Sequence, residues 1–206
     1  NFSDETKDKV NKSAKFNLYI RPGVNFYSPL KTNDLIGNSE FPSKMSLRIG
    51  IEAEVILPFN KNKWAILLEP TYSFYTNKKI TAFTGNNLYK MSLDSYSFIN
   101  IPLGIRHYLY LNDDSKFFVN GQVNVLTLKS GKAHTIDLDY DGYVFDSTNL
   151  SKNKAFKSFS FGAGYNYKNK YSFEVRYSTA NNIIEDQESQ TAKMSYASVI
   201  IGYNLF

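Results

Sequence analysis

Two histidines, at positions 107 and 134 of this 206-residue chain, are the side chains best suited to acid–base chemistry. A hydrolase needs a nucleophile or an activated water beside a histidine and a carboxylate. His134 follows Ser130 and precedes Asp137, but spacing within a loop defines no geometry. The chain has no cysteine and no G-x-S-x-G, H-E-x-x-H or glycine-rich phosphate loop. We therefore predict no catalytic residue, no cofactor and a non-enzymatic protein.

The stretch DLDYDG at 137–142 offers a second kind of chemistry, because it matches the first six positions of a calcium loop. Asp137, Asp139 and Asp141 are the candidate metal ligands, but the twelfth position is Thr148 instead of a bidentate glutamate. The alternative is a hairpin, since Asp141-Gly142 suits a type I′ turn between alternating segments. Such a hairpin would extend the fifth and sixth strands described below.

A third set of charged residues consists of four arginines and four glutamates, and it includes no lysine or aspartate. Arginine and glutamate suit bidentate pairing in a confined interior, whereas lysine suits a hydrated surface. We predict a static ion-pair network that fills the interior, and the alternatives are a polar channel or a conformational gate. The set comprises Arg21, Arg48, Glu52, Glu54, Glu69, Arg106, Glu174 and Arg176.

These charges occupy alternate positions of segments with a period of two, which is the pattern of β-strands. The opposite face of each segment is apolar and free of charge, as in Leu47, Ile49 and Ile51. Apolar outside and charged inside is the reverse of a soluble barrel. We predict an all-β fold, an eight-stranded antiparallel up-and-down transmembrane β-barrel with a polar, plugged lumen. The predicted strands cover 16–28, 44–57, 64–76, 96–111, 116–128, 157–168, 171–180 and 193–206.

The connections between these strands alternate between long and short, as in outer-membrane barrels with long outer loops and tight periplasmic turns. The pattern predicts an outer-membrane protein with both termini in the periplasm. Aromatic residues also cluster at two heights, which predicts interfacial girdles. The girdle residues are Trp64, Tyr108, Tyr110, Phe117, Tyr165, Tyr167, Tyr171 and Tyr203 near the short connections, and Phe26, Tyr72, Phe74, Phe98, Phe159 and Tyr177 near the long ones.

Two stretches carry a resemblance to a known family: INIPLGIRHYLYL at 99–111 and the final GYNLF. The chain resembles the small outer-membrane barrels of Gram-negative bacteria, and in particular the PorT-like barrel family of Bacteroidetes. The resemblance implies a subunit of a secretion, assembly or uptake complex. It also implies that Phe206 is the signal presented to the barrel-assembly machinery. Relatives often carry an aromatic residue where this chain has Asn204, so either a bulge lies nearby or Phe206 turns away from lipid.

Three prolines interrupt the predicted strands, namely Pro22, Pro70 and Pro102. Each lacks the N–H that a central strand donates to its neighbour. We expect either local bulges that accommodate them or a distorted barrel.

The remaining sequence limits the domain organisation and the partners. Residues 1–15 mix lysines and acids with few apolar side chains, which predicts a flexible periplasmic segment or a partner-binding strand before the barrel at 16–206. The net charge is only +5 and no dense block of Lys and Arg is present, so we predict no nucleic-acid partner. We expect outer-membrane lipid and other envelope proteins as partners. The alternatives are a lipid-modifying enzyme of the outer membrane and a soluble lipocalin-like binder of an apolar ligand.

Overall fold

The computed structural model describes most of the chain, and all statements below concern these residues. They are 13–34, 37–75, 78–84, 87–93, 96–130, 135–140, 143–149, 153–154, 158–182 and 191–206. Across these ranges, no helix combines the length and the apolar character needed to cross a membrane. A short 3-10 helix, Asn60–Asn62, lies in one of the connections.

Eight antiparallel strands form the body of the molecule. The third is divided into two segments by Glu69 and Pro70. The strands are β1 (Lys15–Tyr27), β2 (Lys44–Ile56), β3 (Trp64–Leu68 and Thr71–Tyr75), β4 (Tyr96–Tyr110), β5 (Ser115–Ser130), β6 (Phe159–Tyr167), β7 (Tyr171–Asn182) and β8 (Thr191–Asn204).

Each strand pairs with the next along the chain, and β1 pairs with β8, so the sheet closes into a barrel. The closing register sets Ile20 opposite Tyr203 and Val24 opposite Val199. Closure leaves no unpaired edge in the barrel, which satisfies the backbone N–H and C=O groups without water. The predicted fold class is confirmed, and the eight predicted segments coincide with the observed strands to within a few residues.

The prolines are accommodated in three different ways. Pro102 lies opposite Asn124, where the pairing of β4 with β5 shifts by one residue, so a bulge absorbs it as expected. Pro70 lies in the break within β3, and its carbonyl still accepts a hydrogen bond from the Ile51 N–H at 3.0 Å. Pro22 causes no shift, because the register between β1 and β8 is the same on both sides of it.

Left-handed residues shape two of the short connections. Asn60, Lys61 and Asn62 have φ values of 48°, 57° and 58°, and Lys168 and Asn169 have 53° and 54°. Asparagine tolerates this conformation better than most residues do, which explains why asparagine-rich turns follow β2 and β6. These turns, with residues 111–114, define one end of the barrel, here called the turn end. The opposite end is the loop end.

The loop end carries two further pairings. Leu30–Asp34 and Gly37–Phe41 form a hairpin whose first strand pairs with the start of β8, and Asn153–Lys154 pairs with β5. A separate sheet has four strands: Lys78–Thr84, Asn87–Leu93, Thr135–Tyr140 and Tyr143–Asn149. The segment flanking 141–142 is thus a hairpin, but it does not extend β5 and β6 as expected. It pairs with Asn87–Leu93, so two loops that are distant in sequence share one sheet.

Candidate functional site

The lumen is the candidate functional site, because all eight predicted arginines and glutamates point into it. The parity of each strand accounts for this, since even-numbered or odd-numbered positions share one face. Each of the eight side chains is at most 5% exposed. They come from β1 (Arg21), β2 (Arg48, Glu52, Glu54), the break in β3 (Glu69), β4 (Arg106) and β7 (Glu174, Arg176).

The half of the lumen near the turn end holds the first links of a continuous ion-pair chain. Arg106 bridges Glu54, at 3.1 Å from Nη1 to Oε1, and Glu52, at 2.8 Å from Nη2 to Oε2. Arg21 then joins Glu52 to Glu174, with both N–O distances at 2.5 Å. Arginine forks therefore span from β2 to β7, two strands that are not neighbours in the barrel.

The other half of the lumen continues the same chain. Arg176 joins Glu174, at 2.6 Å from Nε to Oε1, and Glu69, at 2.7 Å from Nη2 to Oε2. Arg48 ends the series with a 2.5 Å contact from Nη2 to Glu69 Oε1. Its Nη2 also donates to the Thr71 hydroxyl at 2.8 Å. In the order Glu54, Arg106, Glu52, Arg21, Glu174, Arg176, Glu69, Arg48, positive and negative groups alternate throughout, and we call this series the ion-pair chain.

Neutral polar groups cap the ion-pair chain at its turn end and continue the polar lumen beyond its loop end. At the turn end the Tyr108 hydroxyl and the Asn17 amide, at 2.8 Å, both donate to Glu54. At the loop end the Asn25 amide donates to the Ser73 hydroxyl at 3.2 Å and accepts from the Ser198 hydroxyl at 2.8 Å. Buried charges need such additional hydrogen bonds to offset the loss of hydration.

Little free space remains on the loop side of the ion-pair chain. A cavity on its loop side, bordered by Arg48, Arg176, Gln122 and Tyr196, has a volume of about 20 Å³. That is enough for about one water molecule. Both polar atoms of the Gln122 side chain and both of Asn120 are buried without a hydrogen-bond partner in the described residues, which suits ordered water at this level.

The outer wall has the opposite character. Leu47, Ile49 and Ile51 of β2 are 62%, 52% and 54% exposed, and Val119 and Val175 are 50% exposed. Contiguous apolar surface of this kind is unfavourable in water at about 25 cal/mol per Å² and marks a membrane or protein contact. Lipid outside and ion pairs inside together give the polarity of a membrane-spanning barrel.

Aromatic rings border this wall at both ends, but three predicted girdle residues have the lumen-facing parity of β4. One of them, Tyr110, borders the polar mouth of the barrel instead of the wall. Trp64 stacks edge-on against His107 at 4.6 Å between ring centroids, and Phe117 meets Tyr165 at 5.4 Å. Tyr108 is wrong as a girdle residue, because it is fully buried in the lumen against Glu54. Phe98 is also wrong, because it has the lumen-facing parity of β4 and is only 5% exposed. These girdle predictions rest on the height of the residue along the barrel, whereas the alternation along the strand decides whether a side chain faces the wall or the lumen.

Sequence reasoning also missed a lumen charge, Lys116 of β5. It shares the parity of Asn120 and Gln122, and its side chain is 3% exposed. The ammonium lies 3.8 Å from the centroid of the Tyr108 ring. Lys116 was missed because it lies at the very start of its strand, although its even-numbered position already places it on the lumen-facing side of β5.

The candidate calcium ligands fall only partly within the described residues. Asp137 and Asp139 belong to the strand Thr135–Tyr140, while Asp141 and His134 lie outside the described residues. Over the residues that are described, no group of three or more histidine, aspartate, glutamate or cysteine side chains is arranged to hold a metal ion. Calcium binding at 137–142 stays a prediction.

Phe206 lies just past the end of β8 and is 75% exposed. From Tyr196 to Tyr203 the pairing with β7 shows no register shift: Tyr203 faces the wall, and Asn204 is buried and donates to the Asn169 carbonyl at 2.9 Å. Leu205 still pairs with β1 through a 2.8 Å hydrogen bond to the Leu18 carbonyl. Phe206 therefore follows the lumen-facing parity and borders the mouth of the barrel.

Comparisons with known proteins return structures and no sequence relatives. No protein-family model matches the chain, and no curated protein matches it. The attachment invasion locus protein Ail of Yersinia pestis, in complex with the heparin analogue sucrose octasulfate, has a TM-score of 0.46 at 10% identity and covers 93% of this chain and 99% of its own. Neisserial surface protein A has a TM-score of 0.44 at 12% identity and covers 93% and 98%. The translocator domain of the autotransporter NalP from Neisseria meningitidis has a TM-score of 0.37 at 11% identity and covers 91% and 88%. The fold assignment rests on the strand pairings of the chain itself.

Proposed function

We propose that the chain is a non-enzymatic integral outer-membrane barrel that serves as a structural or accessory subunit of an envelope complex. The observation that carries this proposal is the ion-pair chain, which fills the lumen with mutually neutralised charges. A filled lumen leaves the apolar wall and the two ends as working surfaces. The resemblance of 99–111 to PorT-like barrels supports a role in secretion, assembly or uptake, by analogy of family.

The orientation in the membrane belongs to the same proposal. The short connections at the turn end suit the periplasm, and the larger loop end suits the cell exterior. Outer-membrane lipid then covers the wall, and the barrel-assembly machinery inserts the strands. The signal for that machinery lies in the stretch Tyr203–Phe206, where Tyr203 faces the wall and Phe206 faces the mouth.

The alternatives fit the geometry less well. A soluble lipocalin-like binder needs an apolar interior, but the lumen holds Arg21, Glu52 and Glu174 at no more than 1% exposure. A lipid-modifying enzyme at the outer surface needs its catalytic groups near the loop end. His107 instead lies near the turn end, on the wall beside Trp64.

Membrane fractionation tests the location and the orientation. The full chain expressed in a Gram-negative host should sediment with the outer membrane and migrate faster on gels before boiling than after it. Protease added to intact cells should cut at the loop end and leave 60–62, 111–114 and 168–170 intact. Recovery in the aqueous phase, or cleavage at those three turns in intact cells, would contradict the proposal.

Affinity purification tests the role. The tagged chain, extracted from its own outer membranes in mild non-ionic detergent, should retain one or more envelope proteins in fixed stoichiometry. An unrelated eight-stranded barrel with the same tag is the control for non-specific recovery. Purification as a lone barrel, or release of hydrolysed lipid by the purified chain, would contradict the accessory role.

A further inference from the structure

A polar cavity opens at the turn end, beneath the ion-pair chain. Its volume is about 490 Å³, and it is bordered by side chains of β1, β2, β4, β5 and β8 together with the short connections. The residues that matter here are Lys15, Asn17, Asn62, Lys116, Asn204 and Phe206. A space of this size lies within the usual range of ligand pockets and admits roughly two or three amino-acid residues of an extended chain.

Lys116 brings to this cavity a positive charge that is not paired with an anion in the described residues. Its side chain is 3% exposed and borders the cavity. Its ammonium contacts the ring faces of Tyr108 and Tyr110, at 3.8 and 5.7 Å from the ring centroids, and within the described residues it has no hydrogen bond or ion pair. Ring faces offset part of the desolvation of a cation, but a buried ammonium is normally paired with an anion.

The carboxylate at this end of the lumen is already engaged. Glu54 receives hydrogen bonds from Arg106, at 3.1 Å, from Asn17, at 2.8 Å, and from the Tyr108 hydroxyl. The ion-pair chain pairs four arginines with four glutamates, so Lys116 adds one positive charge that the chain does not neutralise. Lys15 brings a second ammonium to the cavity, and Asp113 at the rim is the acidic residue among its lining side chains.

A second unsatisfied group points to the rest of the ligand. Asn62 borders the cavity, and its side-chain oxygen, which is itself buried, has no hydrogen-bond partner in the described residues. It accepts a hydrogen bond, so it requires a donor such as a peptide N–H. Ile56, Leu111 and Phe206 add apolar surface to the same cavity. An unpaired ammonium, an unpaired acceptor and apolar patches together suit a peptide better than a small inorganic anion, which has no apolar surface to place against Ile56, Leu111 and Phe206.

We propose that the turn-end cavity binds an extended acidic segment of a partner protein. A carboxylate of that segment accepts hydrogen bonds from Lys116, and a backbone N–H donates to the Asn62 side-chain oxygen. The site follows from the geometry alone, whereas placing the partner in the periplasm rests on the proposed function.

The test is a titration of the full chain in non-ionic detergent micelles, followed by NMR of the side-chain amides of Asn17, Asn62 and Asn204. The probe is N-acetyl-Ala-Glu-Ala-amide, and its uncharged counterpart is N-acetyl-Ala-Gln-Ala-amide. We expect saturable shifts with the glutamate peptide and affinity about tenfold weaker with the glutamine peptide, the usual effect of one charged hydrogen bond. This comparison uses the unaltered chain and needs no variant to fold.

Variants then assign the binding to Lys116. Lys116→Gln should weaken the glutamate peptide about tenfold and Lys15→Gln by less, because Lys15 is more exposed. Lys168→Gln is the matched control, since this lysine lies at the same end over the Tyr167 ring and outside the cavity. The affinity of the Lys168→Gln variant for the glutamate peptide should stay within twofold of that of the unaltered chain.

Several outcomes would overturn the proposal: no saturable shift, equal affinity for both peptides, equal weakening by Lys168→Gln, or saturation by inorganic phosphate at lower concentration than by the peptide. The last result would identify an anion site without peptide recognition. Because the assay uses purified protein, its failure leaves the fractionation and co-purification results untouched, and failure of those leaves this binding result standing.

Discussion

At the scale of single residues, each charge in the lumen has more partners than a surface ion pair provides. Glu174 accepts from Arg21 at 2.5 Å and from Arg176 at 2.6 Å, and Arg106 approaches it at 3.5 Å. Arginine can serve several carboxylates at once because its guanidinium presents five donors in a fixed plane. A lysine in its place would leave acceptors unmatched, which explains the choice of arginine along this series.

Glu174→Gln should lower the free energy of unfolding by about 3–5 kcal/mol, because it leaves buried guanidinium groups without their counter-ion. The measurement is urea unfolding in detergent micelles, followed by tryptophan fluorescence of Trp64. Glu40→Gln is the matched control, since its bridge to Lys31 spans 3.8 Å between side chains that are 55% and 76% exposed. Exposed bridges contribute at most about 1 kcal/mol, so equal losses in the two variants would show that the ion-pair chain adds nothing.

Tyr108→Phe should cost about 1–3 kcal/mol of stability, because Glu54 loses a buried hydrogen-bond donor. Tyr110→Phe supplies the comparison: its hydroxyl donates to the Asn62 carbonyl at 2.9 Å from an exposed position. Its loss should be smaller, at about 0.5 kcal/mol. The same unfolding assay ranks the two, and a reversed ranking would refute the role given to Tyr108 as a cap.

Parity along the strands is the reason that the eight lumen charges could be predicted from the sequence. Once Glu52 and Glu54 are placed on one face of β2, Arg48 must share that face. The same rule places Tyr108 beside Arg106 and Lys116 beside Asn120, but these residues lie near strand ends, where aromatic and basic side chains also suit an interface. The partners within the lumen could not be predicted, because they depend on the stagger between strands.

At the scale of elements, the glycines that face the lumen set how closely side chains of neighbouring strands approach. A Cβ atom at Gly104 would lie 2.5 Å from the Gly121 carbonyl oxygen, a backbone atom that cannot move aside. A Cβ at Gly121, on the adjacent strand but facing the wall, would meet nothing within 4 Å. Tight contacts therefore require glycine at position 104, whereas the space around position 121 does not, although the two residues lie almost side by side.

Gly104→Ala should destabilise the barrel by about 1–3 kcal/mol, the usual cost of overpacking. Gly121→Ala should be neutral or stabilising by up to about 1 kcal/mol, because alanine reduces the freedom of the unfolded chain without a clash. Chemical unfolding of both variants in the same detergent gives the difference. If Gly121→Ala proved the more damaging, the assignment of lumen and wall on β5 would be wrong.

Strand positions and turns followed from local patterns, whereas the loop-end sheet did not. Asp141-Gly142 correctly signalled a hairpin, since the flanking strands pair antiparallel. The partner of that hairpin, Asn87–Leu93, lies more than 40 residues earlier, and no local pattern specifies such a pairing. Pro22 shows the same limit, because both neighbouring strands decide whether a proline needs a bulge.

At the scale of the whole molecule, the barrel is a cylinder with a charged axis and an apolar surface. Eight strands leave an interior just wide enough for side chains, and here arginine and glutamate occupy it. The apolar surface makes lipid or detergent a condition of solubility. The closed ladder satisfies the backbone, so the wall tolerates a medium without hydrogen-bonding partners.

The purified chain should give no steady conductance in planar lipid bilayers. The reason is that a permeating ion would have to displace buried pairs such as Arg21–Glu52 and Arg176–Glu69. An open general porin added to the same bilayer verifies that channels are detected. Stable single-channel currents from this chain that persist when the pH or the voltage is changed would mean that the lumen is not plugged.

The distribution of the ion-pair chain along the sequence bears on how the cylinder is assembled. Strands β1 to β4 contribute Arg21, Arg48, Arg106 and Glu52, Glu54, Glu69, and β7 contributes Glu174 with Arg176, so each portion is electrically balanced before the seam forms. A half-inserted sheet therefore carries no excess lumen charge from these residues into the bilayer. When β8 pairs with β1, Glu174 of β7 reaches Arg21 of β1 and Arg106 of β4. These contacts inside the lumen stabilise the closed seam and skip β8, the strand that lies between β7 and β1.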